Sequence, residues 1–356
     1  MEIPTHLERS VTKAVAMHLE TELGDRGLLL TAGALIVAQD EAFHEGASLR
    51  TRLIHQCYPM ARRGSGVVKF GTEDTAARLD AALAFGAVTA RLLTTRHVDF
   101  VAQVHYLCAV FNLGVGLVDS LCDKNAEAGV ALVDLVQESG LGRAALGPRA
   151  RGWLRSTVPR GFVDDPTVAF TVDVIEGFFE TLHGVYAADE WSHLRRRLGS
   201  QLGAALKAER QSVIRSPDWT GRQELIESSR LTSVLPFQII ETLAAADGGS
   251  PPTAGTLLGE AMWRIDDLVD LCLDVRGGSL NGVLLAVAPG AGRPSPEDLL
   301  VTLQHLADST EIAAKAAEAG DKLLAGLRLA GDGQPGTAAF LSFIQRYAGI
   351  APPRRS

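Results

Sequence analysis

Cysteine is scarce in this chain, and no two cysteines sit at metal-ligand spacing. Cys57, Cys108, Cys122 and Cys272 contain no CxxC pair, which excludes a zinc ribbon or a disulfide framework as the organising feature. Reduced thiols in a cytoplasm are the expectation. The opening residues MEIPTHLERS agree, since they lack the basic-then-apolar order of a secretory signal. Positive charge is short as well: 34 lysines and arginines stand against 42 aspartates and glutamates, a formal net charge of −8, so no nucleic-acid partner is expected. Alternating β-branched segments are nearly absent, and no fixed-period repeat emerges. These absences exclude a sheet protein and a helical solenoid.

What is present is apolar and helical. With 46% apolar residues in 356, the chain can bury a large core. Apolar residues recur at three- and four-residue spacing through 74–95, 98–124, 166–186, 188–215, 222–246, 253–276, 296–318 and 335–349. Breakers fall between these segments, as in GPRARG near 147–152, SPDW at 216–219, DGGSPPTAG at 247–255 and APGAGRPSP at 288–296. The pattern predicts an all-α single domain over 1–356, a bundle of ten or more helices, with 1–28 and the tail 351–356 at its periphery. From Phe100 to Val118 nineteen residues pass without Asp, Glu, Lys or Arg, nearly enough to span a bilayer. Gln103, His105, Asn112, the missing basic flank and the adjoining Asp119 favour a buried core helix, with no membrane span.

The segment MWRIDDLVDLCLD, 262–274, carries four aspartates on an otherwise apolar stretch. Asp266, Asp270 and Asp274 recur every four residues, so on a helix they form one slightly drifting row. A solvated face would mix acids with lysines, and unpaired like charges at that spacing repel. Buried carboxylates cost several kcal/mol each unless paired or bound to a cation, which points to a hard divalent ion. A second row, Asp119 and Asp123 in LVDSLCDK, ends the other very apolar helix. Oxygen ligands without His or Cys suit Mg2+, or Mn2+ in its place, completed by water and substrate phosphate.

These residues resemble the trans-isoprenyl diphosphate synthase superfamily, which includes class I terpene synthases. GEAMWRIDDLVD at 259–270 is similar to its second aspartate-rich motif, with glycine seven residues before an intact DDxxD. DSLCD at 119–123 is similar to the first, reduced to DxxxD, about 147 residues earlier. The resemblance implies an isoprenoid synthase-like bundle around a deep apolar pocket, with facing aspartates holding three Mg2+ ions that grip a prenyl diphosphate. A homodimer is the assembly it suggests.

Departures divide the superfamily. Elongating members bind isopentenyl diphosphate through an N-terminal GGK-xx-R pattern and two arginines after the first motif. Here EGASLR at 45–50 keeps Arg50 but has Ala47 at the lysine position, and Ala128 and Gly129 stand at the paired-arginine positions. Elongation is therefore disfavoured against ionisation and cyclisation of a C15 or C20 allylic diphosphate, with prenyl transfer as the competing reading. A partner subunit that keeps the fold without turnover would show eroded metal rows, whereas five aspartates are retained.

The resemblance also implies diphosphate contacts from Arg230 in ESSRLTS and from the terminal pair Arg346 and Tyr347. Arg230 is equally readable as a surface arginine, and the pair as a plain helix end. Arg276 and Arg264 flank the second row and either touch diphosphate or offset its charge. Phe111, Gly114 and Val115 precede Asp119 on the expected pocket side, where small residues leave room for a long chain; close helix packing is the other use of glycine there. Trp263 is readable as a cation-stabilising pocket face or as core packing. Asp267 lies beside the row, either orienting the ligands from behind or remaining as a relic of the elongating motif.

Overall fold

The computed structural model describes residues 2–57, 73–94, 98–140, 152–186, 188–215, 221–245, 253–279, 281–287, 294–331 and 336–350. Most of the breaker segments and the 351–356 tail lie outside the described residues. Within them the protein is all-α: α1 (Thr5–Asp25), α2 (Ala32–Cys57), α3 (Glu73–Leu93), α4 (Val98–Lys124), α5 (Ala126–Gly140), α6 (Arg160–Val163), α7 (Pro166–Val185), α8 (Ala188–Arg215), α9 (Arg222–Ala245), α10 (Ala254–Val269), α11 (Leu271–Gly277), α12 (Gly282–Val287), α13 (Pro296–Asp308), α14 (Glu311–Ala330) and α15 (Thr337–Tyr347).

Local chemistry explains where several helices begin. Asp165 accepts hydrogen bonds from the Thr167 and Val168 amides with Pro166 at the first helical position of α7, and Ser295 with Asp298 forms a reciprocal capping box on α13. Two expected helices are divided. The 296–318 segment breaks at Ser309 and Thr310, where Ser309 Oγ accepts from the Glu311 amide, and α14 then runs on to Ala330. The 253–276 segment breaks at Asp270, with φ −89° and ψ 3°, although no Gly or Pro marks the place.

The very apolar α4 packs against α3, α5, α7 and α9, and its residues Val104 to Val110 are buried. It is long and apolar enough to cross a membrane. The N-terminal segment, expected at the periphery, is instead part of the core. Leu7, Val11, Val15, Leu19 and Leu23 line one face of α1 at four-residue spacing and are buried against α13 and α14.

Helices α9 and α10 touch at Gly259, the glycine of the second motif. A Cβ there would stand 2.6 Å from Val234 Cα. Gly259→Ala is therefore expected to cost about 1–3 kcal/mol of stability despite its better helix propensity, as measured by urea unfolding.

Candidate active site

An apolar cavity, partly open to solvent, lies between α4, α5, α7, α8 and α9. Helix α4 contributes Phe111, Gly114, Val115 and Val118, so three of the expected pocket residues line it. Opposite them Phe178 and Phe179 of α7 form an aromatic wall, with Phe111 and Phe178 ring centroids 5.5 Å apart. Helix α9 adds Thr232 and Pro236, whose ring nitrogen lacks the N–H that the Thr232 carbonyl would receive in a regular helix. Trp263 is not among the lining residues. It is buried beside α9, with Nε1 donating to Ser229 Oγ at 3.1 Å and the Arg264 guanidinium 4.1 Å over its ring. In this position Trp263 packs against α9 and does not line this cavity.

The same α4 that walls the cavity ends in Asp119 and Asp123. Asp119 feels Glu209, Asp123, Asp266 and Asp270 as negative neighbours, and Asp266 feels Asp123, so the two rows lie close to each other and to Glu209, which lines the cavity. The break at Asp270 leaves the second row in register, because the Asp270 amide still bonds the Asp266 carbonyl and the Asp274 amide the Asp270 carbonyl, both at 2.8 Å. Asp274 is held by Asn281 Nδ2 at 2.8 Å.

Asp119 and Asp266 keep access to solvent yet sit in a recess walled by protein. Desolvation is the first cause of every shift in the rows, and like-charge repulsion adds to it at Asp119, Asp266 and Asp274. Asp119 and Asp274 are pushed up to about 8 and Asp266 to about 6; Asp123 and Asp270 also rise. Among the described residues none of the five forms an ion pair with lysine or arginine, although Lys124 lies near Asp123. Nor, among those residues, do any three His, Cys, Asp or Glu side chains converge tightly enough to hold an ion by themselves.

Three acid-site residues were not legible in sequence. Glu209 of α8 lines the cavity, accepts a hydrogen bond from the Cys122 thiol, and is raised by burial. Asn281, fully buried, donates to Asp274 and to the Asp267 carbonyl at 2.7 Å while its Oδ1 caps α12 at Val283 and Leu284. Gly282 gives its amide to Asp267, and a Cβ there would fall 2.4 Å from Asp267 Oδ2. Asp267 is thus packed behind the row, 5% exposed and pushed up to about 7 by burial, with Arg264 and Lys315 nearby. Asn281→Ala is expected to destabilise the protein by about 2–3 kcal/mol, from the lost cap and the freed Asp274, as read by denaturant unfolding.

The arginines divide. Arg230 is held by Glu227 at 2.8 and 2.9 Å and by Glu260 at 2.9 Å; Arg276 pairs with Glu8 of α1; Arg264 pairs with Glu318 at 3.1 Å. Their own carboxylates therefore occupy the guanidiniums expected at the diphosphate or beside the row. Arg346 is exposed and its side chain has no partner among the described residues, whereas Tyr347 reaches the second row: its hydroxyl contacts Asp266 Oδ1 and lies 3.2 Å from Asp270 Oδ2. At the positions where elongating enzymes carry paired arginines, Ala128 is buried and a Gly129 Cβ would stand 2.6 Å from Cys122 Sγ. Arg50 is bound bidentately by the buried Asp80, at 2.6 and 3.3 Å.

No known family, curated protein or solved structure matches this chain.

Proposed function

We propose that the protein is a Mg2+-dependent class I terpene synthase-like enzyme that ionises a linear C15 or C20 allylic diphosphate and cyclises the resulting cation. One observation carries the reading: a single helix, α4, walls an apolar cavity with Phe111, Gly114 and Val115 and ends in Asp119 and Asp123, with Asp266 and Asp270 close enough to raise Asp119.

The donor set fits Mg2+. It is all carboxylate and has no lysine or arginine partner among the described residues; no three of those side chains converge on one point by themselves, so water and phosphate oxygens would have to complete each shell. Asp119, Asp123, Asp266, Asp270 and Asp274 would hold the ions, which when bound offset the charge of the diphosphate leaving group. The remaining work falls to the protein's own side chains. The carbon–oxygen bond breaks, its electron pair leaves with diphosphate, and the allylic cation stays among Phe111, Phe178 and Phe179, whose ring faces attract positive charge. Apolar walls keep water from capturing it before the ring closes. Arg346, exposed and one residue before Tyr347, would be the arginine left to meet the diphosphate.

Prenyl transfer is the second reading. Among the described residues the cation site for chain elongation is not formed: Arg50 is taken by Asp80, and no side chain fits at Gly129. The purified protein incubated with geranyl, farnesyl and geranylgeranyl diphosphates in Mg2+, with and without isopentenyl diphosphate, tests both. A hydrocarbon or terpene alcohol from one allylic substrate alone supports the cyclase. Longer diphosphates formed only with isopentenyl diphosphate would overturn it.

A further inference from the structure

Tyr347 stands where two of the proposed ligands must be free. Its hydroxyl approaches Asp266 Oδ1 and Asp270 Oδ2, placing one phenolic proton between two carboxylates that carry no lysine or arginine partner among the described residues. The backbone that brings it there is firmly fixed. The Ile350 amide bonds the Gln345 carbonyl at 2.9 Å and the Gly349 amide the Arg346 carbonyl at 3.1 Å, with Gly349 at φ +64°, the pattern of a Schellman helix end. Gln345 is fully buried, and its Oε1 accepts from the Leu30 amide at 2.8 Å, mooring α15 to the connection between α1 and α2. The tyrosine side chain, by contrast, is 39% exposed. A fixed backbone carrying a partly exposed side chain lets the hydroxyl leave without moving the helix.

We infer that Tyr347 is a latch on the second aspartate row: in the ion-free protein its hydroxyl takes the place of a cation between Asp266 and Asp270, and it must swing away before they ligate. The inference rests on the metal role proposed for those aspartates. It assigns Tyr347 a contact with carboxylates rather than the diphosphate contact that the resemblance implies, and makes it a positioning residue.

Two readouts test it without turnover. In calorimetric titration of Mg2+ into the metal-free protein, Tyr347→Phe is expected to bind the ion about tenfold more tightly than wild type, because the ion no longer displaces a hydrogen bond. With the four tyrosines replaced by 3-fluorotyrosine, the 19F resonance missing in Tyr347→Phe should shift as Mg2+ saturates wild type. Equal or weaker binding by the variant, or an unmoved resonance while Mg2+ binds, overturns the latch alone. Failure of both proteins to bind Mg2+ or Mn2+, with or without inorganic pyrophosphate, overturns the metal role and the latch with it.

Discussion

Asp119→Asn is expected to lower turnover of the allylic diphosphate at least about 100-fold, the scale on which a lost transition-state charge contact is felt. The ion-free protein should meanwhile unfold at the same temperature or a higher one. The two effects have one origin. Every charged neighbour that raises Asp119 is itself acidic: Glu209 of α8, Asp123 one turn on, and Asp266 and Asp270 of the second row. Exchange for the isosteric amide keeps the volume and removes a carboxyl that the ion-free fold must hold protonated near neutral pH, which relieves the apo fold. The same exchange removes a proposed ligand, so any stabilisation that Mg2+ with pyrophosphate gives wild type should be lost in the variant. Thermal unfolding followed by circular dichroism in chelator, beside product analysis by gas chromatography with mass spectrometry, checks both halves. A variant that is unstable in chelator yet active would contradict the assignment.

The second large effect is on pH. Asp119 and Asp274 are pushed up to about 8 and Asp267 to about 7, from an ordinary value near 3.8. The native state therefore holds protons that the unfolded chain has already released, so the contribution of these groups to stability falls as pH rises towards 8. His105 acts the other way below its ordinary 6.5, because burial pushes it down to about 4 and the native state disfavours its charged form. Between about pH 6.5 and 8 the aspartates act without that opposition. In chelator the melting temperature is expected to drop by several degrees across this window. Mg2+ with pyrophosphate favours the ionised carboxylates, so the gap between loaded and ion-free protein should widen with pH. A flat or rising profile in chelator would contradict the account.

The helical class was readable because apolar spacing survives in long segments such as 98–124 and 188–215, which become α4 and α8 almost residue for residue. The acidic rows were readable because charge without lysine on an apolar helix is a local anomaly. What escaped was tertiary. Glu209 sits in the charged segment LKAERQ, which reads as a solvated face; only the fold turns it towards Cys122 and the cavity. Asn281 looks like a loop residue, although an Asn before the apolar GVLL is a helix-start signal. The break at Asp270 carries no glycine or proline and had no sequence mark. Arg230 and Arg276 had the right residue type, but Glu227, Glu260 and Glu8, the partners that occupy them, are set by the packing of α9, α10 and α1.

The central claim is that the aspartates of α4 and those of α10 and α11 form one metal clamp. Crystals of the protein grown with Mn2+ and inorganic pyrophosphate test it most directly, through the anomalous signal of the ion. The account predicts Mn2+ between the rows, bonded to oxygens of Asp119 or Asp123 on one side and of Asp266, Asp270 or Asp274 on the other, with Tyr347 swung clear. Ions bound away from these carboxylates, or rows left empty with pyrophosphate present, would contradict it.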